Sequence, residues 1–147
     1  MSFFSSMDTS ASALTAQRLR MDVISQNMAN VDTTRSAETG EPYKRKVVLF
    51  QEIGSKASFA QYLGKAMDSD VGQGVRVTRI VNDETPGSRT YDPSHPDADE
   101  DGYVTNSNVN IVEEMVNMIS AHRSYEANIT AINTTKSMIA KTLEIGK

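Results

Sequence analysis

From Asn108 to Ile145 the chain contains neither Pro nor Gly, and its apolar residues recur at intervals of seven. With Ile111 as the first heptad position, Met118, Tyr125, Ile132 and Ile139 fall on the same row, and all five are apolar. A second row, Met115, His122, Ile129, Lys136 and Leu143, is apolar at three of five and reads as the companion row of a seam. Five heptads in register predict one long helix packed coiled-coil-like against a partner helix. At 1.5 Å per residue it is a rod of about 50 Å. Asn108 or Asn110 can cap its start, Glu113 and Glu114 suit the positive end of its dipole, and Gly146 supplies a stop. Val112, Val116 and Ile119 widen the apolar face in the first turns.

The front of the chain mirrors this. Met7, Leu14, Met21 and Met28 also recur at sevens, with Ile24 and Val31 three residues beyond the last two. A helix is predicted from about Met7 to Ala29, with Asn30 as a left-handed C-cap. Both helices carry small uncharged polar faces: Ser10, Ser12, Thr15 and Ser25 in front, Asn117, Ser120, Ser124, Asn128, Thr130, Asn133 and Thr134 behind. Ser, Thr and Asn each cost several tenths of a kcal/mol against Ala in a helix, so such helices need packing on several sides. Close approach over small polar surfaces points to other protein chains as partners.

The 147 residues suffice for one domain. Leu, Ile, Val and Phe together number thirty, near the level at which a chain struggles to build a core alone. The net charge of −4 argues against phosphate-driven nucleic-acid binding, and no apolar run is long enough for membrane insertion. Without Cys there is no disulfide, zinc thiolate or thiol nucleophile. The opening Met1-Ser-Phe-Phe-Ser-Ser-Met7 has neither a basic region nor an apolar core, so no Sec signal is expected there.

The stretch 32–107 follows a different pattern. Tyr43–Phe50 and Val75–Val81 have strand composition, while 52–68 is undecided between short helix and loop. Residues 82–102 hold three Pro and seven Asp/Glu against one Arg, and read as an acidic surface loop. The expected fold is mainly α with a small β-containing middle region (α+β): residues 1–31 helical, 32–107 the middle, 108–147 the long helix. The two terminal helices pack together and are ordered only in an assembly.

Asp97, Asp99, Asp101 and Gly102 fill four positions of a calcium loop, but Asn108 stands where a bidentate Glu is required, and Pro93 and Pro96 occupy the incoming helix. An acidic turn feeding a short extended segment accounts for the same residues. No nucleophile elbow, phosphate loop or zinc-binding helix is present, and Gly72-Gln-Gly74 lacks the third Gly of a dinucleotide fingerprint. No enzyme activity, cofactor or metal is therefore expected. His95 reads as structural, and His122 as a seam residue fixing register. Lys44-Arg45-Lys46 reads as a solvated strand face, and the Met stripe as adaptable packing.

Three stretches carry a resemblance. Ser12-Ala-Leu-Thr-Ala-Gln17 leading into Ile24-Ser-Gln-Asn27-Met-Ala-Asn30-Val-Asp-Thr-Thr34 resembles the N-terminal signature of bacterial flagellar rod and hook proteins. Asp92-Pro-Ser-His-Pro-Asp-Ala-Asp-Glu-Asp-Gly-Tyr-Val104, followed by Asn108-Val-Asn110, resembles the proximal rod members of the flagellar basal-body rod protein family. Glu113-Glu-Met-Val-Asn-Met-Ile119 with Arg123-Ser-Tyr-Glu-Ala-Asn128 resembles the C-terminal helix of the same group. One departure is Ser107, in place of the Pro usual before Asn-Val-Asn. The resemblance implies a structural subunit of the basal-body rod, spanning the periplasm and exported through the flagellar type III apparatus without a cleaved signal. Its implied partners are itself and other rod proteins, with the terminal helices in the inner tube. Asn27 and Asn30 match the signature and are expected to organise the helix exit. The expected assembly contacts are Leu14, Met21, Ile24, Asn27, Met28 and Asn30 in front, and Ile111, Met115, Met118, Tyr125, Ile129, Ile132 and Ile139 behind. The competing reading is a soluble two-helix interaction module whose acidic loop carries calcium or docks a basic partner.

Overall fold

Each Pro- and Gly-free end of the chain becomes a helix. In the computed structural model, which describes residues 3–36, 40–54 and 74–145, these are α1 (Phe3–Ala29) and α2 (Ile111–Ile145). The polar residues inside them are accommodated by back-bonding. Thr9 and Ser10 hydroxyls donate to the Ser5 and Ser6 carbonyls, and Thr130, Thr134 and Thr135 donate to Glu126, Thr130 and Ala131. α1 begins four residues earlier than predicted.

The start of α2 is capped by Asn110, whose Oδ1 accepts from the Val112 and Glu113 N–H groups at 3.0 and 3.4 Å. Asn108 is used elsewhere. At the exit of α1 the expected left-handed cap is absent, because no non-glycine residue among those described has positive φ. Asn30 instead turns its side-chain amide back to the Gln26 carbonyl at 2.8 Å, while its own N–H reaches the Gln26 and Asn27 carbonyls.

Between the helices, β1 (Lys46–Glu52) pairs antiparallel with β2 (Val75–Asn82), Lys46 opposite Asn82 and Glu52 opposite Val75, with an irregularity between Leu49 and Phe50. Most of the undecided stretch 52–68 lies outside the described residues. Gly74, at φ +121°, precedes β2 where a Cβ would collide with Ser12 Oγ. That oxygen accepts the Val75 N–H at 3.1 Å, so the glycine lets β2 lie on α1.

The acidic loop is not wholly loop. It contains β3 (Arg89–Tyr91), which pairs antiparallel with β4 (Tyr103–Thr105). β3 is short and exposed throughout, so it has no hydrophobic alternation from which to be predicted; pairing alone defines it. Gly102, at φ +77°, closes the turn and accepts from the Asp92 N–H at its carbonyl. Ser107, the departure noted above, is buried, and its hydroxyl oxygen accepts the Val109 N–H at 3.3 Å.

α1 packs against α2, β1 and β2, whereas α2 packs against α1 alone among the described elements. The helices are antiparallel, since Asn27 meets Glu114 and Arg20 meets Asn117. At equal rise, Phe3 lies level with about Met138, so α2 runs about two turns past α1.

The seam on α2 differs from the predicted one. Met118, Tyr125, Ile132 and Ile139 are half-buried against α1, but their companions are Glu114, Ala121, Asn128 and Thr135, one position before the predicted row. Met115, His122, Ile129, Lys136 and Leu143 face outward and are exposed. The apolar residues of that row misled the pattern, because the row turned toward α1 is mostly polar or small. His122 therefore fixes no register, and sits near Glu126 in solvent.

The buried apolar residues among those described are Ala16, Val23, Ile24, Val104, Val109 and Ala121, a thin core of mostly small side chains. Gln17 Oε1 is also buried, without a hydrogen-bond partner among the described residues. Gln17→Leu is expected to stabilise the subunit by about 1 kcal/mol, because it removes an unmet polar atom. A rise in urea midpoint at unchanged slope is the measurement.

Candidate functional site

The exit of α1, the start of β1 and the start of α2 converge on one polar node. Asn27, only 1% exposed, uses all four of its amide bonding positions. Its Nδ2 donates to the Lys46 carbonyl and to Glu114 Oε2, both at 2.9 Å, and its Oδ1 accepts from the Lys46 N–H at 2.9 Å and the Tyr43 hydroxyl at 3.0 Å. Glu114, equally buried, accepts at Oε1 from Arg45 Nε at 2.9 Å, with the second guanidinium nitrogen at 2.8 Å. Arg45 also reaches Asp83 Oδ2 at 3.5 Å. Its backbone N–H donates to Asn108 Oδ1 at 2.7 Å, and the Asn108 amide donates to the Asp83 and Thr85 carbonyls.

Burial opposes the charge on Arg45, but the hydrogen bond and charge of Glu114, with Asp83 and Glu113 behind them, together raise its pKa. Burial, then the Glu114 charge, raises the Tyr43 pKa, so the hydroxyl stays a donor to Asn27. Sequence reasoning missed this node. Lys44-Arg45-Lys46 read as a solvated run, and Glu114 as a first-turn dipole partner. The available signal was Glu114 standing on the seam three residues after Ile111.

Above the node, the outer face of α2 is apolar. Ile111, Val112, Met115, Val116 and Ile119 are 44–65% exposed and occupy neighbouring positions on one side of the first turns, away from α1. Farther along, the outward positions are mostly polar, including Arg123, Glu126, Thr130, Asn133 and Ser137. An unpartnered apolar patch on a helix already covered behind is the signature of an interaction face.

Of the residues expected at assembly contacts, Ile111, Met115 and Ile129 are exposed on α2. Ile24 and Asn27 are buried inside the subunit, and Leu14, Met21, Met28 and Asn30 are half-buried on α1. Met118, Tyr125, Ile132 and Ile139 are half-buried in the seam.

In the acidic turn, the carboxylates that would share calcium diverge. Asp97 faces Thr34 at 2.9 Å and Arg35 at 3.5 Å, and Asp99 pairs with Arg89 at 2.8 Å. The described residues hold no cluster of three metal-ligating side chains. His95 accepts the Asp97 N–H at Nδ1.

Asp83 and Asp92 each start a tight turn. The side chain and then the backbone N–H of Thr85 hold Asp83 below its ordinary pKa; Ser94 does the same for Asp92. Folded values below the unfolded ones mean these bonds contribute fully above the unfolded pKa, and are lost as pH falls through the folded value. Protection of the Thr85 and Ser94 amides, taken relative to their intrinsic exchange rates at each pH, is expected to fall below about pH 4, and Asp83→Asn and Asp92→Asn to flatten that dependence at their own turns.

Two family models match the chain. One, described as flagella basal body rod protein, covers residues 7–35; the other, flagellar basal body rod FlgEFG protein C-terminal, covers 100–145. A curated relative, flagellar basal-body rod protein FlgC of Bacillus subtilis (strain 168), is 50% identical over 152 residues, covering 100% of both chains. The chain belongs to the flagellar basal-body rod protein FlgC family. FlgC of Borreliella burgdorferi is 47% identical over 99% of this chain and 98% of its own, and FlgC of Salmonella typhimurium 39% identical over 100% of each. In this FlgC-family chain the two matched segments bring the node's halves, Asn27 in the first and Glu114 in the second. Neither described helix is long and apolar enough to cross a membrane.

Proposed function

We propose that this protein is a structural subunit of the flagellar basal-body rod, assembling with itself and with other rod proteins through its terminal helices. The observation carrying this is the exposed apolar face of Ile111, Val112, Met115, Val116 and Ile119, on a helix whose opposite side α1 already covers. Each such side chain, fully buried by a neighbour, contributes about 1.5–3 kcal/mol before ordering costs. Leu14, Met21, Met28 and Asn30 in front, and the outer edges of Met118, Tyr125, Ile129, Ile132 and Ile139 behind, are the other proposed contacts.

The role is non-catalytic, and the site is the basal body, on the rod's periplasmic span. Passage through the flagellar type III apparatus without a cleaved signal suits a chain with no disulfide to break and a thin core to unfold. The same thin core supports ordering on assembly. The node holds the exit of α1 and the start of α2, whereas the far turns of α2 have little to pack on.

A tagged full-length chain is expected in isolated basal bodies, with amide protection over residues 128–145 there but not in dilute monomer. Absence from basal bodies overturns the rod reading. Protection throughout 111–143 in dilute monomer overturns the ordering step.

A further inference from the structure

Away from the node, α1 and β2 leave a groove of about 560 Å³. Its floor is apolar, made by Ala16, Leu19, Val75 and Val77, and Arg18 and Arg76 stand at its rim with Asp22. Both arginines are exposed and make no ion pair with any described residue. The β3–β4 turn, which packs on neither α1 nor β2, has the complementary character. Glu100 and Asp101 are exposed at its tip, without ion-pair partners among the described residues. Beside them Tyr91 is 64% and Tyr103 41% exposed, locked edge to face at 5.2 Å with Arg89 over the Tyr103 ring.

We propose that the groove between α1 and β2 of one subunit receives the acidic, tyrosine-flanked β3–β4 turn of a second copy. Two carboxylates meet two guanidinium groups, and an aromatic pair meets an apolar floor, the composition that marks the centre of protein interfaces. The turn is preorganised, because the Gly102 N–H donates to the Asp99 carbonyl and the Asp99 N–H to the Tyr103 carbonyl, so docking costs little ordering. β3 and β4 pack only on each other among the described elements, so a subunit's own turn does not fill its own groove. Groove and turn are different surfaces, so a contact between them is head to tail and, repeated, builds a ring or an open helix according to its rotation rather than a two-fold dimer. This rests on the self-assembly read above and gives it a second contact, distinct from the apolar face of α2.

The natural chain has no Cys, which makes cross-linking clean. Full-length Thr15→Cys and Pro93→Cys proteins, the second bearing its thiol on the exposed side of the turn beside Tyr91, mixed under mild oxidation, are expected to form the mixed disulfide at least tenfold faster than either homodimer. Glu100→Lys with Asp101→Lys on the second protein is expected to remove that excess, and Arg18→Glu with Arg76→Glu on the first to restore it. No excess, or an excess indifferent to these charges, overturns the proposal. So does a preferred intrachain disulfide between Thr15→Cys and Ala60→Cys, which would give the groove to the chain's own residues. If the excess is absent while charges on the α2 face still block rod incorporation, the groove contact fails and the rod reading stands.

Discussion

Glu114→Ala unfolds the junction of the two helices, at an expected cost of about 3–5 kcal/mol. The carboxylate is 1% exposed and receives Arg45 on one oxygen and Asn27 on the other. Removing it leaves a partly buried guanidinium with only the 3.5 Å approach to Asp83, and an Asn27 amide hydrogen facing no acceptor. A subunit with so thin a core has little reserve, since whole domains are stable by only about 5–15 kcal/mol. Glu114→Gln keeps an acceptor for Asn27 but not the charge for Arg45, so its loss is expected to be smaller. Glu113→Ala removes the same charge one residue earlier from an exposed position and is expected to stay within about 0.5 kcal/mol. Urea unfolding of the three variants, followed by helical circular dichroism, is the measurement. Equal effects at 113 and 114 would mean that the node does not hold the fold.

Val112→Asp combined with Val116→Asp has the opposite profile. Both positions are more than 60% exposed on α2, so the isolated subunit keeps its stability within about 1 kcal/mol. In a rod contact, however, each carboxylate would be desolvated without a partner, a penalty of at least ~1–3 kcal/mol apiece. About 3 kcal/mol in total is roughly a hundredfold in binding. The variant is expected to be secreted and soluble, and to fall at least about a hundredfold in purified basal bodies. Val116→Leu, which keeps the face apolar, is expected to incorporate normally. Wild-type incorporation of the double aspartate variant would show that this face meets solvent in the rod.

The periodicities at the two ends of the chain made both helices legible, and the Pro- and Gly-free run from Asn108 to Ile145 set the extent of α2 almost to the residue. The strands β1 and β2 were legible from β-branched composition. The seam was half legible. Met118, Tyr125, Ile132 and Ile139 announce themselves by size, but Ala121 and Thr135 are more deeply buried, and a count of large apolar residues passes over them. The left-handed Asn30 was a fair inference from residue type; the structure instead meets the loose Gln26 carbonyl with the Asn30 side chain, which needs no strained backbone.

The order of residues alone determined that this chain is two amphipathic helices around a small β region, because helix and strand periods are local properties of neighbours a few positions apart. It also determined the poverty of large apolar side chains that leaves the subunit a thin core. Only the tertiary structure decided which side of α2 lies inside and which stays exposed, because that depends on where α1 lands. It alone decided that Asn27, Arg45 and Glu114, distant in the chain, form one hydrogen-bonded node. A buried charge is tolerable only beside its partner, and no local pattern shows which partner will arrive.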